Sequence, residues 1–120
     1  MADPADKDRS LLLDMLLAAR DAAAFVAGLG EAEFRQSRLH QNAVIRSLEV
    51  IGEAAGKISD AFQAAHPEIP WREITGMRHR LIHGYAEIDL GLVWSVVSGK
   101  LDPLTATLAR LVPPEGAPDA

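Results

Sequence analysis

The residue types best suited to chemistry lie in one short segment of the chain. This segment contains two arginines, two of the four histidines and the one tyrosine: Arg78, His79, Arg80, His83 and Tyr85. Cleavage of RNA without a metal needs an acceptor for the ribose 2′-hydroxyl proton, a proton donor for the leaving oxygen and positive charge beside the phosphorane. Histidine suits the proton transfers because its ordinary pKa lies near neutrality. Arginine suits the phosphate because its planar guanidinium stays charged, so the segment has the residue types for phosphodiester cleavage.

Helical geometry limits how these side chains can meet. On an ideal helix, Arg78 and His83 lie ~140° apart around the axis and ~7.5 Å apart along it. Three arrangements would bring them together: a helix break near Gly84, an Arg78 side chain that curls around the helix, or a symmetric interface between two chains. His79 and His83, four residues apart, share a helix face, and so do Arg78 and Tyr85, seven residues apart.

The elements that must position this segment are helices. Apolar residues at helical spacing predict four helical segments, a short final helix and no strand. The predicted packing faces of the first two helices are Leu12, Met15, Leu16, Ala19, Ala23 and Val26, and then Val44, Leu48, Ile51, Ala55, Ile58 and Phe62. The first helix is expected over 8–27, ended by Gly28 in the left-handed conformation, and the second from residue 31 or 37 to 65. The third is expected over 70–84. The fourth is capped by Asp89 and stopped by Gly99, and the last runs from Asp102-Pro103 to 111. Gly52 and Gly56, four residues apart in the long second helix, indicate close approach of a neighbouring helix.

The sequence therefore predicts an all-α fold, an antiparallel bundle of four to five helices over residues 1–112 with a flexible tail over 113–120. The 120 residues suit one domain. The absence of cysteine excludes disulfides and thiolate metal sites, and it is compatible with a cytoplasmic location. No apolar stretch is long enough to span a membrane, and the acidic N-terminus is not typical of a signal peptide. A net charge of −5 excludes a broadly basic nucleic-acid-binding surface, so an RNA substrate must contact either a local basic patch or the surface of a partner.

Four ordered blocks of the sequence resemble one family. Arg78-His79-x-x-x-His83 is similar to the signature of HEPN ribonucleases, which is Arg, then Asn, Asp or His, then three residues, then His. With Tyr85 it also resembles the Arg-x4-His-x-Tyr motif of HepT toxins. Residues 43–55 resemble the long-helix block of that family, residues 69–77 its approach to the active site and residues 89–94 its next helix. Together the likeness covers residues from about 10 to 108.

The resemblance implies a HEPN helical bundle that acts as a homodimer. It also implies a metal-independent endoribonuclease without cofactors, in which Arg78 and His83 are catalytic and His79 assists. The implied partner is a nucleotidyltransferase antitoxin of the MntA type, which neutralises the toxin by adding AMP to Tyr85. Two positions differ from the usual HepT pattern, which more often has Asn at position 79 and an acidic residue at position 84.

Other interpretations of the same residues stay open. His79 and His83 have the i, i+4 spacing of two metal ligands, but no third ligand is indicated nearby. Arg46 and Glu53 belong either to a solvated helix face or to a buried polar network that orients Arg78, and we favour the network. Arg80 is a candidate phosphate contact or a solvated surface residue. The acidic charge also fits an alternative function, a non-catalytic HEPN binding partner of a nucleotidyltransferase.

Overall fold

The computed structural model describes residues 4–84 and 87–112, which form helices joined by short non-helical connections and contain no strand. The helices are α1 (Pro4–Phe25), α2 (Glu31–Gln36), α3 (Arg38–Lys57), α4 (Asp60–Ala65), α5 (Trp71–His83), α6 (Leu90–Ser95) and α7 (Leu101–Leu111), with a π-helical turn (Val96–Lys100) between α6 and α7. The predicted all-α helical bundle is confirmed. Tyr85 and the predicted C-terminal tail lie outside the described residues.

The core lies where α1 packs against α3 and α7. The predicted apolar stripe of α1 is buried at Leu12, Met15, Leu16 and Ala19, while Ala22 occupies the core in place of the predicted Ala23. Along α3, steps of four and three residues bury the predicted face, from Val44 through Leu48 and Ile51 to Ala55. Helix α1 ends before Gly28, whose φ of 81° is the left-handed conformation predicted for that stop.

The predicted long second helix is wrong at its C-terminal end, because α3 stops at Lys57 and α4 is separate. Ile58 and Ser59 are extended, and the Ser59 hydroxyl accepts a hydrogen bond from the amide of Phe62, which caps α4. Asp8 of α1 fixes this corner, since its buried carboxylate accepts from the Ser59 amide at 2.9 Å and from the Ser59 hydroxyl at 2.6 Å. Upstream, Ser37 caps α3 and separates it from α2. Ser37 is one of the two predicted starts of the second helix.

The predicted helix stop at Gly99 is also wrong, because the chain stays helical from Leu90 to Leu111. Asp89 caps α6 as predicted, by accepting from the Leu92 amide at 3.1 Å. Asp102, however, lies inside α7 and does not cap it. Pro103 explains the geometry: a proline lacks the N–H for a helical hydrogen bond and its ring crowds the carbonyl four residues back. The π-helical turn widens the helix at that point.

Candidate active site

Helix α5 carries the reactive segment, and α3 is its main support. Trp71 and Leu81 of α5 are buried, and the Trp71 indole donates to the His66 carbonyl at 3.0 Å. Gly52 of α3 permits very close packing, because a Cβ built on it would lie 2.3 Å from the Cβ of Arg78. The close helix approach predicted from Gly52 is therefore confirmed, and the helix it admits carries Arg78.

Arg78 is partly buried, with its Cβ against Gly52. Its Nε is fully buried and has no hydrogen-bond partner among residues 4–84 and 87–112. The ion pairs of the described chain do not include Arg78 either. A buried, unsatisfied guanidinium nitrogen costs free energy, roughly 1–3 kcal/mol. Arg78 also lines a groove between α3 and α5, so an anion bound in that groove can lie beside its side chain.

His79 and His83 share the exposed face of α5, as predicted from their spacing. Their ring centroids are 4.3 Å apart at an angle of 47°. Two exposed imidazoles at this distance can act on one substrate, one as proton acceptor and the other as donor. Helix α5 includes both Arg78 and His83, so of the three arrangements the helix break before His83 is not found. On one continuous helix the two residues lie on different faces.

Helix α5 ends at His83, and Gly84 forms the cap with its amide donating to the Arg80 carbonyl at 2.9 Å. A Cβ at Gly84 would lie 2.8 Å from that carbonyl oxygen. Glycine therefore fits this turn better than a residue with a Cβ atom. Tyr85 follows directly and lies outside the described residues, so its predicted modification stays a prediction.

The residues predicted to support the site lie mostly in solvent. The Arg46 side chain is 71% exposed and pairs with Glu49 at 3.8 Å, while Glu53 is 47% exposed and pairs with Lys57 at 3.5 Å. The predicted buried network of Arg46 and Glu53 is therefore wrong in the single chain, because both occupy the solvated side of α3. Arg80 is exposed on α5.

A shallow groove between α3 and α5 nevertheless joins some of these side chains. It is lined by Gly52, Glu53, Gly56, Lys57, Thr75 and Arg78. Glu53 and Lys57 thus share a surface with Arg78, although neither contacts it in an ion pair. Sequence reasoning missed the place of Lys57 in this groove. The available signal was its position directly after Gly56, which lies one helical turn beyond Gly52, the glycine that contacts α5.

Two further properties follow from the described residues. Residues 4–84 and 87–112 contain no group of three or more His, Asp or Glu side chains arranged to hold a metal ion. None of the helices in those ranges is both long and apolar enough to cross a membrane.

Comparisons with known proteins agree with the motif. The sequence model of the "Ribonuclease HepT-like" family matches residues 15–111. A Methanocaldococcus jannaschii protein named "Putative RNase MJ1380" is 39% identical over 89 residues, which are 74% of this chain and 82% of that protein. "Probable ribonuclease HepT" of Thermococcus cleftensis is 42% identical over 79 residues, 66% of this chain and 72% of that protein. No solved structure is significantly similar. With four fifths of its length matched and the Arg78-His83 motif on an exposed helix, this chain belongs to the HepT-like ribonuclease family.

Proposed function

We propose that the protein is a metal-independent endoribonuclease whose reaction is carried by Arg78 and His83, with His79 assisting. The main support is the arrangement of side chains on α5: the two histidines lie on its exposed face, and the buried Nε of Arg78 has no partner within the described residues. The family supports RNA as the substrate. The local cluster of Arg and His supplies the basic patch that a chain of net charge −5 requires.

The proposed reaction is a transesterification. The imidazole of His83 accepts the proton of the ribose 2′-hydroxyl, and the 2′-oxygen attacks the adjacent phosphorus. The Arg78 guanidinium stabilises the negative charge of the phosphorane. The bond from phosphorus to the 5′-oxygen breaks, and a protonated imidazole, supplied by His79, donates the proton to that oxygen. The products are a 2′,3′-cyclic phosphate and a 5′-hydroxyl.

The test is cleavage of total RNA in EDTA. We expect the wild-type protein to cleave, and both Arg78→Ala and His83→Ala to lose at least about a hundredfold in rate, in line with the loss of a charge-stabilising or acid–base group. Arg110→Ala is the matched control, because Arg110 is exposed on α7 and lies outside the Arg78–His83 motif. Wild-type cleavage that requires added metal would contradict this mechanism.

We further propose that the active form is a homodimer with shared sites. The support is geometric, since Arg78 and His83 diverge on one continuous α5 and a two-fold partner can supply the second group. A mixture of Arg78→Ala and His83→Ala chains, allowed to exchange subunits, should then regain about a quarter of wild-type activity, because half of the dimers are mixed and each mixed dimer has one intact site. No recovery would show that each chain holds a complete site.

The biological role we propose is that of a cytoplasmic toxin neutralised by a nucleotidyltransferase antitoxin that adds AMP to Tyr85. The support is the Arg-x4-His-x-Tyr motif within a HepT-like family match. Growth arrest on expression of this chain alone, relieved by the co-expressed nucleotidyltransferase, is the expected result. Intact mass should then increase by one or more adenylyl groups in wild type and stay unchanged in Tyr85→Phe. Relief of arrest in Tyr85→Phe would contradict modification at this residue.

The alternative is a non-catalytic HEPN partner of a nucleotidyltransferase, which the acidic charge favours. In that case the chain forms a complex with the enzyme, and its expression alone leaves growth unaffected.

A further inference from the structure

The exposed face of α5 forms a continuous stripe that extends well beyond the two histidines. It consists of Arg72, Gly76, His79 and His83, and all four residues are exposed. Their spacings of four, three and four residues keep them within an arc of about 60° on the helix. The stripe is about 16 Å long from Arg72 to His83. At Gly76 its surface is open, since a Cβ built there would meet nothing within 4 Å.

Lys57 borders this α5 stripe from the neighbouring helix. It is the last residue of α3, and it lines the groove that also contains Thr75 and Arg78. A Cβ built on the preceding Gly56 would lie 3.8 Å from Thr75 Cγ2, which places this end of α3 beside the middle of α5. The Thr75 hydroxyl donates to the Trp71 carbonyl at 3.1 Å, so Thr75 is engaged with the backbone, and Lys57 and Arg78 are the cationic residues that line this groove.

Both cations are available to an anionic ligand. The ion pairs of residues 4–84 and 87–112 do not include Arg72. Lys57 pairs with Glu53 at 3.5 Å, but both side chains are about half exposed. An exposed i, i+4 pair contributes only about 0.3–0.5 kcal/mol, so a phosphate can readily replace the carboxylate. Glu53 is then the group that opposes phosphate binding in this groove.

We propose that Lys57 and Arg72 form a phosphate-binding subsite for the RNA strand, which extends from the scissile phosphate at His83 along the α5 stripe. This inference rests on the proposed ribonuclease function and names the residues that hold the substrate outside the reacting bond. It also explains how a chain with a net charge of −5 binds RNA. In this proposal the RNA phosphates contact a local group of cations on α5 and at the end of α3, so a broadly basic surface is not required.

The test measures binding separately from cleavage. The probe is a fluorescently labelled single-stranded RNA with 2′-deoxy substitutions that prevent transesterification, and its affinity is measured by anisotropy in EDTA between about 50 and 200 mM salt. Lys57→Gln and Arg72→Gln should each weaken binding roughly fivefold at the lower salt concentration and reduce the slope of log affinity against log salt by about 0.7. Glu53→Gln should tighten binding, because it removes the opposing carboxylate.

Lys100→Gln and Arg110→Gln are the matched controls. Lys100 lines the groove on the other flank of α5, with Glu73 and Met77, and Arg110 lies on α7. Both controls should keep the affinity and salt slope of the wild type. Lys57 and Arg72 variants that bind like these controls would overturn the subsite. If the wild type binds the probe but does not cleave the all-ribose RNA, the proposed ribonuclease function is contradicted. The affinities of the Lys57 and Arg72 variants then still show whether these two residues bind phosphate.

Discussion

The two sides of α3 are packed in contrasting ways. On one side, α1 and α7 complete a core in which Met15, Ala19, Val44, Ala55 and Leu108 have no exposed surface. On the other side, α5 rests on α3 through the Gly52 contact and buries only Trp71 and Leu81. The first side provides most of the apolar burial that stabilises the fold. The second holds exposed histidines and an unpaired arginine nitrogen. The residues that stabilise the fold and those proposed to act on RNA therefore lie largely on different helices.

The largest effect on stability should come from the core side. Met15→Ala removes a side chain with no exposed surface and leaves a cavity, so we expect a loss of roughly 2–5 kcal/mol in the free energy of unfolding, measured with urea. The fraction that remains folded should cleave RNA at the wild-type rate per molecule. A large loss of specific activity with little loss of stability would contradict the separation of the two sides.

Gly52→Ala should disturb the α5 side more than any other single methyl group. Its Cβ would lie 2.3 Å from Arg78 Cβ, so the helices must separate at a cost of roughly 1–3 kcal/mol, and cleavage should fall because Arg78 moves. Gly56→Ala is the matched control one turn away. Its Cβ would be 3.8 Å from Thr75 Cγ2, an ordinary contact, and the gain in helix propensity should stabilise the protein by up to about 1 kcal/mol. Equal effects of the two changes on unfolding would contradict the close contact.

The corner between α1 and α4 should show an intermediate effect. Asp8→Ala removes both hydrogen bonds to Ser59 and leaves the Ser59 amide and hydroxyl without this acceptor. We expect a loss of about 1–2 kcal/mol in thermal or urea unfolding. Asp14→Ala, at an exposed position on the same helix, should change stability by less than about 0.5 kcal/mol. An Asp8 variant as stable as the Asp14 variant would show that this corner does not depend on the carboxylate.

The smallest effect should come from Arg46. Its pair with Glu49 is 3.8 Å long and mostly exposed, so solvent screens it, and Arg46→Ala should alter the free energy of unfolding by no more than about 0.5 kcal/mol. Cleavage by a saturating concentration of the protein should also stay at the wild-type level. A strong loss of activity in Arg46→Ala without unfolding would restore the supporting role that the sequence suggested for this residue.

Periodic patterns predicted the parts of the fold that depend on apolar burial. The buried faces of α1 and α3, the Gly28 stop and the Asp89 cap follow from residue types alone. The break between α3 and α4 could not be predicted from residue types, because the end of α3 depends on Asp8, which is 51 residues away from Ser59 along the chain. The helix from Leu90 to Leu111 was missed because a π-helical turn accommodates Pro103. Within the site, the motif residues were identifiable by type and spacing, whereas the groove beside Lys57 depends on how two helices pack.

The most direct test of the account is the chemical identity of the RNA ends formed in EDTA. If His83 and Arg78 act on the ribose 2′-hydroxyl and the phosphorane as described, wild-type protein should leave 2′,3′-cyclic phosphate and 5′-hydroxyl ends. These ends should be absent when either Arg78→Ala or His83→Ala replaces the wild type. Cleavage that yields 3′-hydroxyl and 5′-phosphate ends, or cyclic phosphate formed equally well by both variants, would contradict the central role of α5.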